Sequence, residues 1–337
     1  MQYKTVPFYN NWLDVSGMKE GSGVDHICRL DPSFFDIFND ITEEKKKQWR
    51  IEAATRCHET LGPFPALCLS GGLDSQVMVQ CFAEADLEAH VVIFTFKDEL
   101  NKQDSDHAKA FCEKFDIPYR EIEFDIVSFL VRDNEEMTRK YGNISPHFNT
   151  HYRFVEILTH LGYTGVCFGG IAPDRNNGQY GLNMDRIPMR WSIIDGFQIA
   201  NQGSFLSFSP ELAWGITLST ADITNLDYEN NSVNFRKIEN LKEAEAEKYK
   251  AKIKGYTSMG FEILPQPTKM TGFELVKNYF AEQTGDGWTF EKRFRYPLAR
   301  LDNGKFNKDT HSYKINLTPE QKQKLDSIYF NKFPARP

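Results

Sequence analysis

The sequence predicts an α/β fold with a doubly wound parallel sheet, followed by a mostly helical C-terminal part. Between residues 65 and 170, short apolar runs alternate with amphipathic segments of helical period. The apolar runs are typical of strands buried on both faces, and such alternation favours a parallel sheet covered by helices. The 337 residues, 40% of them hydrophobic and 26% charged, belong to a globular chain of about two domains.

The first two segments of the chain are predicted from apolar periodicity and capping signals. Residues 1–60 are expected to form an irregular leader and then a helix, which Thr42 caps and which Glu43 and Glu44 stabilise at its positive end. Residues 61–180 are assigned to one α/β domain. In chain order, its predicted elements are a strand at 66–69, a helix at 76–82, a strand at 91–96, a helix at 105–115, a strand at 119–124, a helix at 148–161 and a strand at 165–170.

Residues 181–337 are expected to be a mostly helical region that completes the substrate site. Helices are predicted at 210–217, 236–254, 272–280 and 318–329. The alternating Glu and Lys residues of 236–254 are typical of a solvated helix face. Thr318 caps the last helix, with Pro319 at its first position.

Charge and cysteine usage indicate the protein's compartment. The net charge of −7 argues against non-specific binding of nucleic acid. No apolar run approaches the length of a membrane span, and the N-terminus has no secretory h-region. The six cysteines include no C-x-x-C pair, so we expect reduced thiols, with Cys68 and Cys167 in the core. These observations predict a cytoplasmic protein with no membrane contact.

The strongest chemical signal is a hexapeptide between the first predicted strand and the following helix. It consists of Ser70, Gly71, Gly72, Leu73, Asp74 and Ser75. Glycines let a ligand approach the main chain, and the helix N-terminus behind them favours an anion. A carboxylate is unexpected at an anion site unless a cation is shared, and Mg²⁺ bound to phosphate oxygens resolves that conflict for Asp74. The chain contains neither a Walker A motif nor a G-x-G-x-x-G motif.

The Ser-Gly-Gly-x-Asp-Ser pattern after a strand resembles the signature of the PP-loop ATP pyrophosphatases. This family includes asparagine synthetases, NAD and GMP synthetases and tRNA-modifying enzymes. The resemblance implies an adenine nucleotide alpha-hydrolase (HUP-like) sheet, with ATP and Mg²⁺ as cofactors. It also implies that residues 70–75 cradle the pyrophosphate while ATP is split into AMP and pyrophosphate. The main chain at Phe94 and Phe96 is then expected to bind adenine, although both side chains could equally belong to the core.

Two later segments resemble the asparagine synthetase branch of this family. Gly169 and Gly170 end the fourth predicted strand, and Asp174 follows in a loop with further glycines. The resemblance implies that the two glycines contact the nucleotide and that Asp174 shares the Mg²⁺ with Asp74. The segment 290–298 is similar to the family's late basic segment, which implies that Lys292 and Arg295 contact the phosphates and assist catalysis.

The resemblance predicts an adenylating ligase or amidotransferase that activates a carboxylate or amide oxygen for attack by ammonia or an amine. Residue 2 is Gln, and residues 1–60 are too few for the glutaminase domain of glutamine-dependent asparagine synthetases. The nitrogen is therefore expected as free ammonia, as an amino compound or from a separate ammonia-supplying subunit. Two alternatives stay open: a PP-loop enzyme that modifies tRNA or a nucleobase, and a non-catalytic ATP-binding regulatory protein.

Overall fold

The computed structural model describes residues 3–5, 12–14, 26–141, 145–170, 172–176, 179–182, 192–194, 201–219, 249–266, 273–284, 293–294 and 313–332. Its strands are β1 (Tyr3–Thr5), β2 (Leu13–Asp14), β3 (His26–Cys28), β4 (Pro65–Cys68), β5 (His90–Phe96), β6 (Tyr119–Phe124), β7 (Gly165–Phe168), β8 (Asp174–Asn176), β9 (Gln179–Leu182), β10 (Ser192–Ile194), β11 (Asn201–Ser204) and β12 (Tyr313–Asn316). Its α-helices are α1 (Glu43–Leu61), α2 (Leu73–Glu84), α3 (Lys102–Lys114), α4 (Ile126–Arg132), α5 (Asn134–Tyr141), α6 (Pro146–His160), α7 (Pro210–Ser219), α8 (249–258), α9 (Glu274–Thr284) and α10 (Pro319–Lys332).

The main sheet contains five parallel strands in the order β11-β7-β4-β5-β6. The chain starts at the central strand β4, moves outward through β5 and β6, and then returns to the other side of β4 with β7 and β11. The strand order therefore reverses between β4 and β7. In open α/β sheets, ligands bind at such a switch point, beyond the carboxyl ends of the strands.

Helices cover both faces of this sheet. Successive residues of a strand point to opposite faces, so each strand contributes side chains to two separate cores. Leu67 and Ile93 belong to a core shared with α1, α2, α3 and α7. Ala66, Val92 and Phe94 belong to a second core shared with α4, α5, α6 and α9. The predicted α/β class with a parallel sheet is confirmed.

The two predicted N-caps, Thr42 and Thr318, are confirmed. Thr42 Oγ1 accepts a hydrogen bond from the Lys45 amide at 3.2 Å, as expected of an N-cap. At α10, Thr318 Oγ1 accepts from the Gln321 amide at 3.2 Å, and Gln321 Oε1 accepts from the Thr318 amide at 2.7 Å. This reciprocal pair is a capping box, which satisfies two amides at the helix start.

The structure adds elements that the sequence analysis did not predict. A second sheet of five short strands has the order β2-β3-β12-β9-β8, so the completion region contains strands as well as helices. β3 pairs with β12 in the register His26 to Ile315, across almost the whole chain. The leader also contains a 3-10 helix, Pro32–Phe38, and its Phe35 ring packs 5.7 Å from the Trp214 ring. Of the predicted helix 236–254, only 249–254 lies within the described residues, where α8 continues to residue 258.

All six cysteines are buried and unpaired, in agreement with the expectation for Cys68 and Cys167. The Sγ atoms of Cys57 and Cys167 lie 3.4 Å apart where α1 packs on β7. None of the helices in the described ranges is both long and apolar enough to cross a membrane.

The contact between α1 and β7 depends on a glycine. A Cβ placed on Gly165 would lie 2.5 Å from the carbonyl oxygen of Leu61, which the helix holds in place. We expect Gly165→Ala to lower the free energy of unfolding by about 3 kcal/mol because the added methyl overpacks this contact. Gly162→Ala is the comparison, since it meets open space and has only the strain of a φ of +92°. Its expected loss is about 1 kcal/mol. Urea denaturation measures both values, and equal losses would contradict the steric argument.

Candidate functional site

The loop after β4 has a backbone that only glycine allows. Gly71 has a φ of +79°, and a Cβ at this position would collide with the main-chain oxygen of Asp104. Gly72 is the N-cap of α2 and has no side chain that could accept from the amides of the first helical turn. The first amides of a helix have no partner within the helix, and with the helix dipole they form an anion-binding site.

Two serines hold this loop closed. Ser75 Oγ donates to the Gly72 carbonyl at 2.8 Å and accepts from the Ser70 amide at 3.2 Å. The Ser70 and Ser75 hydroxyl oxygens lie 3.3 Å apart. Ser75 is buried and Ser70 is exposed, so Ser75 shapes the loop while Ser70 presents its hydroxyl at the surface.

The end of β7 packs directly against the start of α2. A Cβ on Gly169 would lie 2.5 Å from the carbonyl carbon of Asp74 and 2.6 Å from the Ser75 amide nitrogen. Gly170 follows with a φ of +85°. The structure therefore brings together the two glycine-containing strand ends that the sequence analysis selected.

The other predicted phosphate and metal ligands are less fully described. Asp174 begins β8, where its backbone pairs with Gly181 of β9, but its side chain lies outside the described part of the structure. Lys292 and Arg295 also lie outside the described residues.

Asp74 contacts two side chains of α8 that the sequence analysis did not select. Lys252 Nζ lies 2.5 Å from Asp74 Oδ2, and the Tyr256 hydroxyl donates to Asp74 Oδ1. Lys252 and Tyr256 are one helical turn apart, so both reach the same carboxylate. Burial raises the pKa of the Tyr256 phenol, and the nearby Asp74 charge raises it further. The phenol therefore remains a neutral hydrogen-bond donor.

A pair of glutamines fastens the segment after α8 to α2. Gln80 Nε2 donates to the Glu262 carbonyl at 2.8 Å, and Gln80 Oε1 accepts from the Glu262 amide at 3.1 Å. Gln76 repeats this pattern one turn earlier, with both main-chain groups of Leu264 at 2.8 and 2.7 Å. Gln76 Nε2 also donates to the Gly71 carbonyl at 3.1 Å. The same side chain thus connects the loop to the segment that follows α8.

A polar cluster lies behind the loop at the start of α3. Gln266 Nε2 donates to Asp104 Oδ1 at 3.0 Å, and His107 Nε2 lies 2.7 Å from the Leu264 carbonyl oxygen. Burial raises the pKa of the Asp104 carboxyl to about 6, and the charge of Glu274 adds to this effect. The Gln266 hydrogen bond and the His107 charge oppose it.

The main-chain groups expected to bind adenine are paired with a side chain. Asn101 Nδ2 donates to the Phe94 carbonyl at 2.8 Å, and Asn101 Oδ1 accepts from the Phe96 amide at 2.6 Å. The Phe94 side chain is buried and stacks on Phe154 at 3.7 Å between centroids, so it belongs to the core. An adenine that used these two main-chain groups would have to displace the Asn101 amide.

The oxygen donors at the loop suit a cation that is shared with a ligand. No group of three or more His, Cys, Asp or Glu residues in the described ranges could hold a metal ion by itself. Mg²⁺ usually binds one or two carboxylates together with phosphate oxygens and water, so a single carboxylate beside an anion site fits this ion. The residues present are therefore compatible with Mg²⁺ that arrives with a polyphosphate.

The sequence did contain a signal for Lys252 and Tyr256. Tyr249, Ile253 and Tyr256 follow the i, i+4, i+7 spacing of a buried helix face, and Lys252 lies within the same stripe. A lysine on an apolar stripe indicates a paired charge, because burying an unpaired charge is unfavourable. The surrounding Glu and Lys residues obscured this pattern.

Comparisons with known proteins do not establish a family. No protein-family model matches the chain, and a search of curated proteins gives no significant match. A functional assignment therefore depends on the residues and geometry of this site.

The two glutamines give a matched test of the connection between α2 and the segment after α8. Gln76→Ala would leave the buried Gly71 carbonyl and the half-buried Leu264 amide without the partner that Gln76 provides, whereas the Leu264 carbonyl keeps His107. We therefore expect a loss of about 2 kcal/mol in the free energy of unfolding. Gln80→Ala is expected to cost less than about 1 kcal/mol, because water can reach the groups it leaves. Urea denaturation and hydrogen exchange at the Leu264 amide measure the difference. A larger effect of Gln80→Ala would refute this account.

The raised pKa of Asp104 predicts a pH dependence of stability. The folded protein keeps the Asp104 proton up to about pH 6, whereas the unfolded chain loses it near the ordinary pKa of 3.8. Between these values the folded state binds more protons, so the Asp104 contribution to stability falls as pH rises from 3.8 to about 6. We expect Asp104→Asn to remove this fall, as measured by urea denaturation across that range. The control is Asp106→Asn, on the exposed side of α3, which should keep the wild-type profile. Parallel profiles for wild type and Asp104→Asn would contradict the assignment.

Proposed function

We propose that this chain is an adenylating ligase of the PP-loop ATP pyrophosphatase type, similar to the synthetase part of asparagine synthetases. The observation that carries the proposal is the Gly71–Gly72 loop at the switch point of the parallel sheet, with Asp74 in the first turn of the helix behind it. The order β11-β7-β4-β5-β6 supports a doubly wound sheet of the adenine nucleotide alpha-hydrolase type.

The loop has the features needed to hold a pyrophosphate group. The amides at the start of α2 and the Ser70 hydroxyl provide donors for phosphate oxygens. Lys252 provides a positive charge beside Asp74. The resemblance to the family predicts this role for Lys292 and Arg295. Donors and charges that are already in position stabilise charge development without further reorganisation.

The proposal assigns Mg²⁺ to the carboxylates of Asp74 and Asp174. When bound with ATP, this ion would neutralise charge on the phosphates and so favour departure of the pyrophosphate. Tyr256 orients the Asp74 carboxylate through its hydrogen bond.

The proposed reaction has two nucleophilic substitution steps. A carboxylate or amide oxygen of the acceptor attacks the α-phosphorus of ATP, and the bond to the pyrophosphate breaks. Ammonia or an amine then attacks the activated carbon, and AMP leaves with the oxygen. The protein contributes mainly by holding the reacting groups in line, which is a large part of catalysis in such reactions. The acceptor is a small molecule in this proposal, and the amine is free or supplied by a separate subunit.

A non-catalytic ATP-binding role is the second candidate, and a specific contact favours it. Asn101 pairs with the main-chain groups at Phe94 and Phe96, and both oxygens of Asp74 have protein partners. The groups that would bind adenine and metal thus have partners within the protein, as expected of a protein that binds nucleotide weakly or only to sense it.

The alternative of tRNA modification gains less support. It requires a basic surface near the site that is free to contact phosphates. Three basic side chains of α5 and α6 have carboxylate partners: Arg139 pairs with Glu135, Lys140 with Glu156, and Arg153 with Asp133 and Glu156. These partners neutralise the charges of the three side chains, which therefore contribute little to such a surface.

A product assay tests the proposal directly. The protein is incubated with Mg²⁺, α-labelled ATP and pools of carboxylic acids, amines or tRNA, and AMP is separated from ADP. We expect AMP in the presence of one pool, and a loss of about 100-fold or more in Asp74→Asn, because the loop loses its metal-binding charge. Asp86→Asn is the matched control, an exposed carboxylate at the opposite end of α2.

Three results would count against the proposal. ADP formation would indicate phosphoryl transfer instead. AMP formation that survives Asp74→Asn would place the reaction at another site. Nucleotide binding without any turnover in all pools would favour the regulatory candidate.

A further inference from the structure

Both oxygens of the Asp74 carboxylate are already occupied within the protein. Lys252 Nζ lies 2.5 Å from Oδ2, and the Tyr256 hydroxyl donates to Oδ1. The carboxylate is therefore neutralised and oriented by side chains of the protein itself. This arrangement bears on any role of Asp74 as a metal ligand.

A divalent cation cannot share Oδ2 with an ammonium group. Mg²⁺ binds carboxylate oxygens at about 2.0–2.1 Å, and the positive charge of Lys252 at hydrogen-bond distance would repel it strongly. Each carboxylate oxygen has a second lone pair, so the hydrogen bond from the neutral Tyr256 does not exclude a metal ion. The positive charge of Lys252 does oppose one, so this ammonium group must move away before Asp74 can bind a metal ion.

The two partners differ in their freedom to move. Tyr256 is fully buried in the core beneath α8, near Met259 and Phe261, and cannot turn away without opening that core. The Lys252 side chain is 26% exposed, and its four methylenes allow the ammonium group to swing. Lys252 is therefore the partner that can be exchanged.

We propose that Lys252 is an exchangeable counter-ion of Asp74. In the nucleotide-free protein Lys252 holds Oδ2, and it yields this oxygen to the divalent cation that arrives with the nucleotide, while Tyr256 keeps Oδ1. The released ammonium group then lies beside the anion-binding loop, where phosphate oxygens replace the carboxylate as its partner. The nucleotide part of this inference rests on the proposed function.

The exchange makes metal binding conditional on the nucleotide. With Lys252 in place, a divalent cation alone meets a carboxylate that is already neutralised. With a polyphosphate in the loop, a second anion is available to Lys252, so the release of Asp74 no longer leaves an unpaired charge. The protein would thus bind metal and nucleotide together and not bind the metal first.

A titration with Mn²⁺ alone tests the exchange, with free Mn²⁺ measured by electron paramagnetic resonance and no nucleotide present. Lys252→Met is expected to bind Mn²⁺ at least about tenfold more tightly than wild type, because the competing charge is gone. The double variant Lys252→Met/Asp74→Asn is expected to lose this gain. Lys254→Met removes a charge from the same helix and is expected to leave Mn²⁺ binding at the wild-type level.

Lys252→Gln is measured in parallel, because it removes the charge but keeps a hydrogen-bond donor for Asp74, and it is expected to show the same gain. Equal Mn²⁺ affinity in wild type and in a folded Lys252 variant would overturn the exchange. A gain that survives Asp74→Asn would also overturn it, because the metal would then lie elsewhere.

The titration tests the exchange and the product assay tests the reaction, and their results are independent. A gain in Mn²⁺ affinity that depends on Asp74, without AMP formation, would keep the exchange and remove the proposed reaction. AMP formation that depends on Asp74, without the gain in Mn²⁺ affinity, would keep the reaction and remove the exchange.

Discussion

The contact of Asp74 with Lys252 and Tyr256 is the interaction on which the candidate site depends. It joins the first turn of α2 to α8, where Lys252 and Tyr256 follow Asp74 by 178 and 182 residues. Asp74 is partly buried, and a carboxylate withdrawn from water needs partners because an uncompensated charge inside a protein is unfavourable. The contact therefore stabilises the loop and α8 together and connects the segment 249–266 to the α/β part of the chain.

The glutamine pair on α2 helps to hold α8 in position for this contact. The side-chain amides of Gln76 and Gln80 bond to the segment after α8 much as a neighbouring strand would. Each amide donates to the carbonyl and accepts from the amide of one residue, Leu264 for Gln76 and Glu262 for Gln80. Gln76 also bonds to Gly71, so one buried side chain connects the loop with the segment after α8.

Much of the main sheet was predictable because its signals are local. Apolar runs such as Val91–Phe96 are buried on both faces, and caps such as Thr42 act on amides three residues away. The second sheet was not predictable in this way, since its strands have two to four residues and its central strand β12 pairs with β3 and β9, which lie far from it in the chain. Within the site, the loop of residues 70–75 and the approach of Gly169 could be inferred, whereas the pairing of Asn101 with Phe94 and Phe96 could not.

The sequence by itself determined the α/β class, the strand and helix alternation of residues 65–170 and the glycine-containing loop at the start of α2. These features follow from short-range chemistry, namely the burial period of a strand, the conformational freedom of Gly71 and the capping of a helix. Only the tertiary structure decided which side chains surround Asp74, because Lys252 and Tyr256 reach it through the packing of α8 on α2. Contacts between residues so far apart in the chain depend on the whole fold, and no local pattern encodes the partner.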